Sequence, residues 1–283
     1  MFAVYQTIHS QADVEMWYDW NARLDDTKWS EDCYFIMKDG EKIGGILMSP
    51  NDAIYPFLIA PFCDRRVFWA QVLRQLREMS KDNEVQLKGV SAADVPVLQS
   101  FGAEVWRPRQ IMCRPTDELP YALDDAFALE TPQECDFPEL ATVYIKAYTG
   151  GVIFKIFGEE TIETAGKNLR ESYEGNTKTG TWHHSAIVKE KAAGQIVGAC
   201  IAGINPEVVN RFSFIDDLFI LPAFRRKGIA EAMLRHTISA AHKDTPAIKL
   251  HVLIGNPAES LYRKLGFVPG PSFTDMKLRF GSH

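Results

Sequence analysis

The chain reads as an α/β protein, an α+β mixed sheet built twice in tandem. An internal repeat is the first reason. Placing Pro222 on Pro61, a shift of 161 residues, sets Phe219-Ile-Leu-Pro-Ala-Phe-Arg-Arg-Lys-Gly-Ile-Ala-Glu-Ala-Met-Leu234 over Leu58-Ile-Ala-Pro-Phe-Cys-Asp-Arg-Arg-Val-Phe-Trp-Ala-Gln-Val-Leu73. Leu265-Gly266-Phe267 then falls on Phe101-Gly102-Ala103 at a shift of 164, and Met276-Lys-Leu-Arg279 answers Ile111-Met-Cys-Arg114. The second reason is that each half carries a hairpin signal ahead of the repeated block. The third is that strands and amphipathic helices follow in the same order in both halves.

In the first half, strands over Tyr34 to Lys38 and Lys42 to Met48 flank the turn pair Asp39-Gly40. Ala53 to Ile59 is the next strand. Arg65 to Ser80 is a helix, because Val72, Leu73, Leu76 and Met79 recur at helical spacing. A strand over Val85 to Leu87, a short helix over Asp94 to Phe101 and a strand over Gln110 to Arg114 complete the unit. In the second half, Ser185 to Lys189 and Ile196 to Ala202 pair around Ala193-Gly194, followed by a strand at Phe212 to Ile220. A helix from about Gly228 to His242 and a strand over Ile248 to Val252 come next.

Pro115-Thr-Asp-Glu-Leu-Pro120 carries two prolines and two acids and reads as the linker. The expected domains are therefore 1–120 and 121–283. The second has a longer stretch, Tyr144 to Asn176, with no counterpart in the first. Glu159 to Glu174 within it is expected to be helical, and Tyr148-Thr-Gly-Gly151 a loop. Acceptor-binding segments often sit on such variable loops, so the acceptor mouth is placed partly there.

Hydrophobic residues make up 46% and charged residues 24% of the 283, as in an ordinary soluble globular protein. A net charge of −6 argues against a general nucleic-acid surface. The five cysteines (33, 63, 113, 135 and 200) are scattered, without Cys-x-x-Cys spacing, which suits reduced cytosolic thiols better than a disulfide framework. Neither a signal peptide nor a run near the ~20 apolar residues of a membrane span is apparent, so a cytoplasmic location is expected.

The most specific segment runs from Ile215 to Ala230, Ile-Asp-Asp-Leu-Phe-Ile-Leu-Pro-Ala-Phe-Arg-Arg-Lys-Gly-Ile-Ala. It reads as a strand entering a turn that opens a helix. Such a turn presents backbone N–H groups at the positive end of the helix dipole and suits a pyrophosphate. Downstream stands Asn256-Pro-Ala-Glu-Ser-Leu-Tyr-Arg-Lys-Leu-Gly-Phe267. The two segments together resemble the GNAT superfamily of acyl-CoA-dependent N-acyltransferases. Arg225-Arg226-Lys227-Gly228-Ile229-Ala230 matches that family's Arg/Gln-x-x-Gly-x-Gly/Ala loop. Ala258 to Phe267 matches the latter part of its Asn-x-x-Ala-x-x-Leu-Tyr-x-x-Leu-Gly-Phe element, with Asn256 one position nearer the alanine than the pattern places it. The motif match covers Phe212 to Phe267; the rest of the chain agrees by element order.

The resemblance implies that acetyl-CoA is the co-substrate and a primary amine the acceptor, on a small molecule or a peptide. The backbone of Leu218, Phe219 and Ile220 would hold the pantetheine, and Arg225 to Ala230 the pyrophosphate. Asn256 would anchor the cofactor, unless it only caps the following helix. Tyr262 would serve the departing thiolate, with a packing tyrosine as the plainer reading. Asp216 is the favoured general base, although its neighbour Asp217 turns to the opposite face of a strand, and water alone can relay the proton. No metal is expected: adjacent His183 and His184, placed on a strand, would face opposite ways. Trp17, Tyr18, Trp20 and Trp29 read as core and interdomain packing. A monomer or homodimer without nucleic-acid or membrane partners is expected. The alternative to an enzyme is a non-catalytic CoA-binding sensor, and within enzymes the transfer of a longer acyl group or to another nucleophile.

At the positions of Gly228 and Ala230 the first half has Val67 and Trp69. A β-branched residue resists positive φ and crowds an approaching phosphate. Counterparts of Asn256 and Tyr262 are missing between Val90 and Leu98. The first unit is thus expected to be a scaffold without a cofactor.

Overall fold

A computed structural model describes residues 32–204 and 212–281, so the early tryptophan-rich cluster (Trp17, Tyr18, Trp20, Trp29) lies outside the described residues. Contacts divide the chain into Met1–Ile111 with Gly270–His283, and Met112–Pro269.

In the first unit, strand β1 (Cys33–Lys38) turns at Asp39-Gly40 into β2 (Glu41–Ser49), which pairs antiparallel with β3 (Asp52–Leu58). Both turn residues have positive φ, 50° and 85°, as a tight hairpin turn of this type requires. Helix α1 (Arg65–Met79) follows and buries Phe68, Trp69, Val72, Leu73 and Leu76, one face at helical spacing. Strand β4 (Glu84–Ser91) pairs parallel with β3, and helix α2 (Val95–Ser100) leads to β5 (Glu104–Pro115). Asp94, 5% exposed, ties this unit together. It accepts from Arg65 Nη1 and from the buried Trp69 indole, both at 2.9 Å, and from Ser91.

In the second unit, β6 (Phe127–Glu130) leads to helices α3 (Phe137–Tyr148), α4 (Val152–Phe157) and α5 (Ile162–Lys178). Strands β7 (Ala186–Glu190), β8 (Gln195–Gly203) and β9 (Phe212–Ile220) come next, followed by helix α6 (Ile229–Ala241), strand β10 (Ala247–Leu253) and helix α7 (Ala258–Lys264). The sheet order is β10-β9-β8-β7-β6. Helices cover both faces, and the pleat sorts the side chains between them. Val188, Val197 and Cys200 pack with Met233, Leu234 and Ile238 of α6. Their neighbours Ile187, Ile196 and Ile201 pack with Leu140, Ala141 and Leu169 of α3 and α5. Each large aliphatic so buried contributes at most about 1.5–3 kcal/mol.

The last strand, β11 (Val268–Arg279), does not complete the second unit's sheet. It pairs antiparallel with β4, from Phe273↔Ser91 to Arg279↔Glu84, and its Met276 and Leu278 enter the core under α1. Asp275 is 1% exposed there, accepting from Gly89 N at 3.2 Å and Arg109 Nη2 at 2.7 Å. The sequence places the division near residue 120; the contacts place it inside β5 and return Gly270–His283 to the first unit. Among the described residues no helix is long and apolar enough to cross a membrane.

Candidate functional site

Strand β9 is held on one side by β8 along its length, from Gly203↔Phe214 to Gly198↔Ile220. The register slips between Ile201 and Ala202, leaving Asp216 as the extra residue of a bulge. On its other side the parallel ladder with β10 runs only from Ala247↔Phe212 to Leu250↔Ile215. Asp216 to Ile220 lie beyond its last pair. Leu221 N donates to Val197 O, so by alternation Leu218 and Ile220 turn their backbone groups away from β8. Two side chains meet those carbonyls: the Tyr148 hydroxyl reaches Leu218 O at 3.3 Å, and Arg225 Nε reaches Ile220 O at 3.2 Å.

Beyond β9, a 3₁₀ turn (Pro222–Phe224) delivers the chain to α6. Arg226 (φ 66°) and Gly228 (φ 79°) both adopt the left-handed conformation, which turns successive amides toward one side. For Arg226 this costs about 1 kcal/mol or more. Among the described residues, the backbone N–H groups of Arg226 to Ala230 donate to no acceptor. Arg226, Lys227 and Gly228 are exposed, and a Cβ on Gly228 would meet open space. The positive φ therefore requires glycine there, rather than crowding by the protein. Arg225 is committed elsewhere: its Nη2 donates to Ala147 O at 2.7 Å, fastening the loop to the end of α3.

Tyr262 stands on α7 with its ring 8% exposed, in edge contact with Phe267. Its hydroxyl makes no hydrogen bond among the described residues. Burial, with Cys200 and Asp217 nearby, holds the phenol well above its ordinary range. Asn256 accepts from Ala258 N at 3.0 Å through Oδ1, bracing the turn just ahead of α7, whose N-cap is Pro257; its amide nitrogen makes no hydrogen bond among the described residues.

The Asp217 carboxylate accepts from the Tyr148 hydroxyl at 3.3 Å. Burial and Asp216 push Asp217 up to about 7, and the hydrogen bond from Tyr148 works against that rise. Burial likewise pushes Asp216 up to about 7, while water reaches its side chain from the open side and screens part of the effect. Tyr144, in edge contact with Tyr148 at 4.8 Å, lies 3.4 Å from Glu160. The Cys200 thiol, wholly buried and pushed up to about 12, stays protonated and is no nucleophile at neutral pH.

Tyr144, Tyr148 and Glu160 escape the sequence reading as site residues. They precede Asp217 by 57 to 73 positions, Tyr148 by 69, and although they fall in the stretch expected to form part of the acceptor mouth, local spacing does not single them out. His183 and His184 differ from expectation outright. They lie in a 3₁₀ turn (Trp182–His184) ahead of β7, and both rings converge on Asp244 instead of facing opposite ways.

The first unit is closed where the second is open. The Asp64 side chain accepts from Val67 N at 3.0 Å, placing a carboxylate at the first turn of α1. Trp69, at the Ala230 position, is fully buried.

A family model described as the Acetyltransferase (GNAT) domain matches residues 182–269. A stretch of 63 residues is 43% identical to Cysteine-rich protein 2-binding protein of Homo sapiens, covering 22% of this chain and 8% of that protein. A GCN5-related N-acetyltransferase from Sphaerobacter thermophilus superposes with a TM-score of 0.70 at 15% identity, over 99% of this chain and 93% of that one. A tandem GNAT protein from the clavulanic acid biosynthesis pathway gives 0.54 at 13% identity, over 89% and 85%. A GCN5-related N-acetyltransferase from Kribbella flavida gives 0.52 at 13%, over 93% and 95%. At such identities the structural likeness concerns the fold.

Proposed function

We propose, from the match of residues 182–269 to the Acetyltransferase (GNAT) domain, that the chain is an acyltransferase that moves an acetyl group from acetyl-CoA to a primary amine. The observation that carries this reading is the shared opening of β9 and the α6 turn. Strand backbone free of β10 leads directly into a row of unpaired amides, with the unbonded Tyr262 hydroxyl nearby in the same unit.

Acetyl-CoA, when bound, supplies an activated acyl thioester. Leu218 and Ile220 hold its pantetheine arm as an added strand would be held, while Phe219, expected from the sequence to share that task, turns its backbone to β8 and backs the strand. The amides of Arg226 to Ala230 take the pyrophosphate, with Arg226 and Lys227 adding charge and the α6 dipole adding field. Arg225 positions the loop through Ile220 and Ala147. Asn256 keeps its amide nitrogen for the cofactor while its oxygen accepts from Ala258 N at the start of α7.

Asp216 takes the proton from the acceptor ammonium or through one water, leaving the amine able to attack as the C–N bond forms and the C–S bond breaks. Its raised carboxyl suits that task near neutral pH. Tyr262 meets the departing sulfur. Its phenol, held above the ordinary value of about 10, keeps its proton more tightly than a thiol of about 8.5. Full proton transfer is uphill, so Tyr262 stabilises the thiolate chiefly by donating a hydrogen bond. Asp216, Asp217 and Glu160 give the region an acidic character that favours a cationic acceptor.

Release of free thiol from acetyl-CoA, measured across polyamines, aminoglycosides, amino acids and peptide N-termini, tests the proposal. Steady release beyond one equivalent with at least one amine is expected. Tight acetyl-CoA binding with no turnover across the panel would favour a CoA-binding sensor.

A further inference from the structure

At the other end of β9 and α6 from the Gly228 turn, His183 Nε2 and His184 Nε2 approach the same atom, Asp244 Oδ2, at 3.0 and 2.7 Å. The hydrogen bonds behind the two rings determine where their protons sit. His183 Nδ1 lies 3.1 Å from Gly180 O, an oxygen that only accepts, so this nitrogen carries the hydrogen. Behind His184, Thr245 Oγ1 donates to Ala241 O at 3.3 Å. Ser213, 2.9 Å from that Thr245 oxygen, therefore donates to it. Ser213 Oγ is then left to accept from His184 Nδ1 at 3.1 Å. In their neutral forms both rings thus turn a bare Nε2 lone pair toward a carboxylate oxygen. Three acceptors facing one another call for a cation between them.

Ring nitrogens pinned by oxygen partners behind, with their second nitrogens converging, are the arrangement seen around metal-ligating histidines. All three ligand atoms lie within 4.8 Å of one another. Bonds of about 2.0–2.2 Å to a tetrahedral ion need these atoms a few tenths of an ångström further apart. His183 and Asp244, 45% and 33% exposed, have room to give that, whereas His184 is fully buried and held. A separate observation points to the same place. His183 borders an open cavity of about 670 Å³ that is also lined by His236 and Lys243. The buried His236 Nε2 has no hydrogen-bond partner among the described residues.

We propose that His183, His184 and Asp244 form a binding site for a divalent transition metal of the zinc class, through the two Nε2 atoms and Oδ2, with the remaining coordination position open to the cavity. Two nitrogens and one carboxylate oxygen suit zinc or cobalt(II) better than magnesium or calcium. The site joins the turn before β7 to the segment between α6 and β10. Ser213 precedes Asp216 by three strand residues, about 10 Å, and α6 separates Asp244 from Gly228 by about 20 Å. The ion is therefore a clamp on the fold, independent of the acyltransferase reading.

The full chain, stripped with chelator and carrying Cys63→Ser and Cys135→Ser to remove exposed thiols, is titrated with zinc by calorimetry and with cobalt(II) by visible absorption. One ion per chain, a tetrahedral cobalt spectrum and a raised melting temperature are expected. His183→Ala and Asp244→Asn, checked for folding by circular dichroism, should each weaken binding at least tenfold. No ion bound at micromolar free zinc, or unchanged affinity in both folded variants, would overturn the proposal and leave a protonated histidine–carboxylate cluster.

Discussion

Asp64 accepts a hydrogen bond from the Val67 amide at 3.0 Å, so the first unit places its own carboxylate where the second presents free amides. An anion at that helix end would meet a like charge, and the amide it would bind is already used. On the proposed reading this cap, together with the bulk of Val67 and Trp69, is what keeps a cofactor from the first unit. Asp64→Ala should lower stability by about 0.5–2 kcal/mol through the lost cap. It should create no second acetyl-CoA site; a second binding event on titrating that variant would contradict this.

Tyr262→Phe removes the donor and little else. Turnover should fall roughly ten- to a thousandfold, about 1.4–4 kcal/mol in the barrier, with acetyl-CoA affinity nearly unchanged. Unchanged turnover at saturating substrates, where chemistry limits the rate, would leave Tyr262 as a packing residue.

Asp216 and Asp217 are both pushed up to about 7, and being adjacent they titrate as a pair. A carboxyl raised in this way is protonated below that value. A base that must be ionised therefore loses activity as pH falls through about 7 and gains it above. The acid limb of kcat/KM should vanish in Asp216→Asn along with most of the activity. Tyr148→Phe removes the hydrogen bond that holds Asp217 down, so its inflection should move to higher pH. A profile in Tyr148→Phe identical to that of the unmodified protein would uncouple the tyrosine from the acids.

Asp94 satisfies the Trp69 indole and the Arg65 guanidinium together. Asp94→Ala would strand a buried N–H and a partly buried cation, at a cost of about 2–4 kcal/mol. Chemical denaturation measures this directly; a change under about 0.5 kcal/mol, the scale of an ordinary surface substitution, would mean that water replaces the carboxylate.

Much of the candidate site's backbone geometry is legible in the sequence because it is local. The pattern from Arg225 to Ala230 specifies a turn and a helix start within six residues, and Asn256 to Phe267 specifies a capped helix with one tyrosine. Hairpin turns at Asp39-Gly40 and Ala193-Gly194 were legible for the same reason. The destination of β11 was not. Met276 to Arg279 has the pattern of a strand, but which strand it joins depends on a core built by residues near 70 and 90. The sequence sets Tyr148 at the start of a loop in the stretch expected to form part of the acceptor mouth, but its meeting with Asp217 depends on how α3 lies across the sheet. His183 and His184 were misplaced because two histidines in a strand and two in a 3₁₀ turn look alike until the turn is known.

On the proposed reading one acetyl-CoA binds per chain, in the second unit, at the turn around Gly228. Calorimetric titration of the intact chain with acetyl-CoA tests it most directly. One site per chain is expected, with binding severely weakened by Gly228→Val, whose side chain opposes the φ of 79°, and no second site created by Val67→Gly. Two equivalent sites per chain, or near-native binding by a folded Gly228→Val variant, would contradict it.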